Sequence, residues 1–229
     1  MSFTANFRVK VNHGMVKSDN LLTDAERNRL NASINVLNQE CFFAAMTSLF
    51  NNRGYAPFSE VGIDPTFIGC GNIIGNFNNP VLKFNNTDCM STDVVEEEFF
   101  HLFQRRMYAA SSAITSANYS AALGFLEFEA YLQRDIKTHI KSPIFIGTGY
   151  NFALKNSDNT FQAQYITWLN TLTNNRTKWP TTIDFNTYKM WAERFAATNS
   201  KYKNFGYTFN INLPPNALIS IVNESNCSK

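Results

Sequence analysis

Glu97-Glu98-Phe99-Phe100-His101 brings two carboxylates and an imidazole into about one and a half turns of a segment that reads as a helix. On that helix Glu97, His101, Gln104 and Tyr108 recur at spacings of three and four and form one stripe, while Glu98 stands one position round, at i,i+3 to His101. Val94, Val95, Phe99, Phe100, Leu102, Phe103 and Met107 occupy most of the remaining circumference, which predicts a largely buried helix. A carboxylate taken out of water costs several kcal/mol unless it is paired, hydrogen-bonded or bound to a cation. Metal coordination is one way to meet that cost. The other is an acidic first helical turn, worth about 0.3–1 kcal/mol against the helix dipole, with His101 as a core histidine or an ion-pair partner of Glu97.

The wider run Glu97-Glu-Phe-Phe-His-Leu-Phe-Gln104 resembles the HELFHxxQ form of the HExxH motif of zincin metallopeptidases, including many bacterial members. In that motif two histidines bind zinc from one helix face and the glutamate between them activates water. Glu98 and His101 match the last positions, whereas Glu97 stands where the first histidine belongs. Glu127-Phe-Glu-Ala130 resembles the downstream segment that supplies a glutamate ligand in gluzincin-type members. The resemblance spans Val81 to Asp135 and implies Glu98 as general base, with Glu97, His101 and Glu127 as metal ligands. Glu127 and Glu129 lie about 200° apart on a helix, so only one faces a given site. Glu129 shares a stripe with Phe125, Leu132 and Ile136 and stays a candidate ligand by periodicity. The implied cofactor is zinc, or Mn or Fe, since two carboxylates and one imidazole make a harder donor set. The implied activity is hydrolysis of peptide or protein substrates; the alternative is a zincin-like binding or structural module without catalysis.

Other motifs carry less. A carboxylate-bridged di-iron site needs a second ExxH, and neither His13 nor His139 has a glutamate three residues before it. Cys41, Cys70, Cys89 and Cys227 contain no CxxC and allow three pairings, and Cys89 with a histidine is a remote nucleophile option. Gly69-Cys-Gly71 and Gly147-Thr-Gly149 read as turns. Arg105-Arg106 reads as a solvated helix face, and Trp168, Trp179 and Trp191 as core.

The elements that must position the cluster can be read from period and punctuation. Phe3 to Val11 alternates as a strand. Thr23 with Glu26 forms a capping box for a helix running to Phe50 and ended by Gly54. Between Gly54 and Asn86 short β-like runs, Thr66 to Ile68, Ile73-Ile74 and Val81 to Phe84, predict a small mixed or antiparallel sheet with long loops. Helices follow from an N-cap at Asp93 to about Ser116, from Tyr119 to His139, from Thr160 to Thr173 and from Phe185 to Thr198. The segment Tyr207 to Val222 reads as extended. The whole predicts an α+β fold, one zincin-like domain over residues 1–229 with a mostly helical C-terminal half.

The 229 residues are 44% hydrophobic with 21 Phe, enough for a substantial packed core. Charged residues make up 17% with a net +2 and no basic run, which argues against a nucleic-acid partner. No apolar run approaches the ~20 residues of a transmembrane helix. Ser2 to Lys10 lacks the apolar centre of a signal peptide, so the expectation is a cytoplasmic protein, or a secreted or envelope one if a leader has been removed.

Overall fold

The computed structural model describes residues 10–11, 13–142, 152–199, 202, 209 and 211–225. Among them are seven helices and a three-stranded mixed sheet, an α+β fold. The chain forms two compact units, Met1–Arg106 and Met107–Lys229. The strand expected at Phe3 to Val11 and the Gly147 to Gly149 turn fall mostly or wholly outside the described residues.

In the first unit, α1 (Asp24–Leu37) starts where the capping box predicts. The Thr23 hydroxyl accepts from the Glu26 N–H at 3.4 Å and the Glu26 carboxylate accepts from the Thr23 N–H at 2.6 Å. The helix does not continue to Phe50. It stops at Asn38, and α2 (Cys41–Asn52) begins after a polar Asn38-Gln39-Glu40 turn, so one expected helix is two. The turn is closed by backbone bonds from Gln39 N–H to Val36 O and from Glu40 N–H to Leu37 O. Gly54, at φ +62°, ends α2 in the left-handed conformation that a residue without a Cβ adopts cheaply.

The sheet has the order β1 (Glu60–Ile63), β3 (Val81–Phe84), β2 (Gly71–Ile74), with β1 parallel and β2 antiparallel to β3. Thr66 to Ile68, expected as a strand, is a turn: the Asp64 carboxylate accepts from both the N–H and the hydroxyl of Thr66. Such side-chain-to-backbone bonds favour turns over strands. The strand lies a few residues earlier, at β1. Register pairs Leu82 with Val61 and Ile73, and Phe84 with Ile63 and Gly71, so these six residues share one sheet face. Leu82, Phe84 and Val61 are fully buried.

On that face Gly71 meets Glu98 of α3 (Thr92–Ala110), which starts one residue before the expected Asp93 cap and carries Asp93 in its first turn. It ends before Ser116, because Ala113 and Ile114 fold back onto the Tyr108 carbonyl past Ser112 at φ +58°. Phe99 is its anchor: its ring lies 5.9 Å from Phe43, 5.6 Å from Phe58 and 5.1 Å from His13. Aromatic packing at these separations contributes beyond burial alone. The expected burial of this helix is present, and it extends to the basic pair. Arg105 and Arg106 are buried rather than solvated. Arg106 donates to the carbonyls of Ala56, Phe77 and Asn78, and Arg105 lies over the Phe77 ring. Backbone carbonyls and a ring face replace the lost hydration.

The second unit holds α4 (Tyr119–Lys141), α5 (Asn159–Leu172), α6 (Phe185–Thr198) and α7 (Asn216–Glu224). Asp158 and Asp184 cap α5 and α6 through their carboxylates. Phe125, Phe128, Leu132 and Ile136 of α4 are fully buried. Phe128 packs on Tyr165, Tyr188 and Phe195, and Trp191 on Tyr165 and Trp168. Trp179 and Trp191 are core residues as expected, and Trp168 packs on Trp191 half-buried. The tail is not extended as expected, because Asn216–Glu224 is helical. Ala217, Leu218, Ile221 and Val222 make its buried stripe, and Pro214-Pro215 lead into its first turn rather than interrupting a strand.

Candidate metal centre

Glu97 and His101 stand four residues apart on α3, and Glu127 stands on α4 between the buried Leu126 and Phe128. One ligand atom from each of Glu97, His101 and Glu127 lies within 4.8 Å of the others. All three residues are half-buried, so the group is neither a solvated surface cluster nor a sealed core network. A tetrahedral ion with bonds of about 2.1 Å sets its ligands about 3.4 Å apart. Two carboxylates converging on one imidazole form a group that could hold a metal ion. Such a cation would offset the mutual repulsion of the two anions.

The imidazole is oriented from its own helix. His101 Nδ1 lies 2.8 Å from the amide oxygen of Gln104, which is fully buried. A carbonyl oxygen only accepts, so Nδ1 donates to it, and Nε2 is the ring nitrogen left for another partner. Metal-binding histidines are oriented in this way by an acceptor on the far ring nitrogen. The i,i+3 spacing of His101 and Gln104 is what lets one helix supply both groups.

Glu98 is buried, and its side chain lies against Gly71, the first residue of β2. Glu129 lies in a different environment. It is buried, its Oε1 accepts from the Leu218 N–H at 2.9 Å and its Oε2 from the Tyr108 hydroxyl at 3.0 Å. The structure thus gathers Glu97, His101 and Glu127, seats Glu98 on the sheet, and commits Glu129 to a contact with the start of α7.

Three further features were not legible. Cys70 and Cys89 form a disulfide, which takes Cys89 out of the nucleophile option. Gly71 belongs to β2 rather than to a turn, and only Gly69, at φ +119°, needs the positive dihedral. His13 is buried against Phe43 and Phe99, and burial pushes its pKa down to about 4. Cysteine and glycine spacing holds no record of pairing or of close approach, so no sequence signal marked them. Among the described residues no helix is long and apolar enough to cross a membrane. Comparison with family models, with curated proteins and with solved structures finds no match in any of the three.

Proposed function

We propose that the chain is a metal-dependent hydrolase of zincin-like, gluzincin-type character that acts on peptide or protein substrates. The observation that carries this reading is the convergence of Glu97, His101 and Glu127 within 4.8 Å. A bound divalent ion would supply Lewis-acid polarisation of a carbonyl and lower the pKa of water. Glu97, His101 and Glu127 hold it, and Gln104 fixes the His101 ring. Glu98, one position on from Glu97, takes the proton from the attacking water as general base. Zinc suits the imidazole and the four-coordinate geometry, while the carboxylate majority also suits Mn or Fe.

Glu97 in place of a histidine favours a second reading. An added anionic ligand makes any bound ion a weaker Lewis acid, which fits a zincin-like binding or structural module without catalysis.

Elemental analysis of protein purified without a histidine tag decides the first point, with one equivalent of a transition metal expected. Glu97→Ala, His101→Ala and Glu127→Ala should each lose it, while Glu98→Gln should keep it. Hydrolysis of a fluorescein-labelled casein by wild type, abolished in Glu98→Gln, supports the enzyme. Stoichiometric metal with no hydrolysis argues for the module, and a well-folded wild type that stays metal-free after re-addition of Zn, Mn and Fe overturns the hydrolase and leaves a binding or structural module without a metal.

A further inference from the structure

Gly71 begins β2 with a backbone conformation that does not call for glycine, because its φ is outside the left-handed region occupied by Gly54, Gly69 and Gly75. What calls for glycine is space. A Cβ placed on it would lie 2.6 Å from Cγ and 2.7 Å from Cδ of Glu98, and nearer still to Oε1. Carbon atoms pack at about 3.5–4.0 Å, so any side chain at position 71 must displace Glu98. Gly71 pairs with Phe84 and therefore sits on the buried sheet face beneath α3. The residue before it, Cys70, is bonded to Cys89, just ahead of the start of α3. The strand end is therefore tied covalently to the entrance of the helix that carries Glu98.

We propose that Gly71 is a positioning residue for Glu98: its missing side chain forms the seat that sets the direction of the Glu98 carboxylate. This inference rests on the reading of Glu98 as the general base of the metal centre. It makes Gly71 a requirement of the site and not of the strand, since its φ lies outside the region that only glycine adopts cheaply.

The test uses the full chain loaded with Co(II), whose visible spectrum reports groups just outside the ligand shell. Wild type should take up one equivalent, and Glu98→Gln should keep that stoichiometry with an altered spectrum. Gly71→Ala is expected to keep the metal and to reproduce the alteration seen in Glu98→Gln. Asn72→Ala, whose side chain points from the opposite, exposed face, should give the wild-type spectrum. A Gly71→Ala spectrum that coincides with wild type while Glu98→Gln differs overturns the proposal. So does a Glu98→Gln spectrum that matches wild type, since Glu98 then lies away from the ion. Wild type that binds no Co(II) refutes the metal centre itself, a separate result that removes the basis of the inference. If Gly71→Ala loses stability, the loss should largely vanish in a Glu98→Ala background, and an equal fall in melting temperature in both backgrounds shows that no such seat exists.

Discussion

Glu129 is 1% exposed, and each of its carboxylate oxygens meets a donor at the α7 end of the second unit. Tyr108 completes the arrangement: its hydroxyl accepts from the Ala217 N–H at 3.2 Å and lies 2.8 Å from the Pro214 carbonyl. Burial first, and then the Glu129 charge, push the Tyr108 and Tyr188 hydroxyls well above the usual tyrosine range, so both stay neutral donors. Glu129→Ala would strand buried donors and should cost about 2–3 kcal/mol in chemical denaturation while leaving metal content unchanged. Glu127→Ala should do the reverse, removing metal with a small effect on apo stability; swapped outcomes would reassign the ligand. His13 makes a pH prediction. Its Nδ1 accepts from the Met15 N–H at 3.3 Å and its Nε2 lies 3.3 Å from the Thr47 hydroxyl, so the folded chain holds it neutral. The folded pKa of about 4 lies below the ordinary 6.5, so the unfolded chain binds the proton first as pH falls. Stability attributable to this residue is therefore complete above about pH 6.5 and is lost between 6.5 and 4. That loss is about 3 kcal/mol in all. Replacing His13 with Gln should flatten the acid limb of stability against pH by about one proton, and an unchanged limb would show that His13 is not held neutral.

At the scale of elements, the helices with side-chain caps were legible and the breaks between them were not. The Thr23–Glu26 box and the Phe185–Thr198 helix fall where local chemistry puts them. The Asn38–Glu40 interruption and the α7 helix depend on what each segment packs against, because β-branched Ile219, Ile221 and Val222 suit either a strand or a buried helix stripe. Arg106 shows why a basic pair was misread. A guanidinium offers five donors in a fixed fork, and here they span three carbonyls from residues 56, 77 and 78. Arg106→Ala should cost about 2–3 kcal/mol and raise amide exchange through residues 76–80. Arg106→Lys should recover less than half of that, since an ammonium cannot span the same set. Recovery of full stability by lysine would mean that charge alone matters at this position.

At the scale of the whole chain, ligand linkage gives the broadest test. An ion that binds only the folded chain adds about 2.7 kcal/mol when present at a hundredfold its dissociation constant. The melting temperature should therefore rise by several degrees with added zinc or manganese, fall back with chelator, and stay flat in His101→Ala. A flat response in wild type would argue against the centre. The α+β class, the burial of the helix from Val95 to Tyr108 and the shared stripe of Glu97, His101 and Gln104 followed from the sequence alone. Helical period and apolar content are local properties, and the chain carries them wherever it folds. The grouping of Glu127 with Glu97 and His101, the contact of Glu129 with Leu218, the Cys70–Cys89 pairing and the closeness of Glu98 to Gly71 did not follow. Residues two apart on one helix differ only in what stands opposite them, and a cysteine or a glycine carries no mark of its neighbour. Those neighbours are far away in sequence, so tertiary structure alone brings Leu218 to Glu129, Cys89 to Cys70 and Glu98 to Gly71.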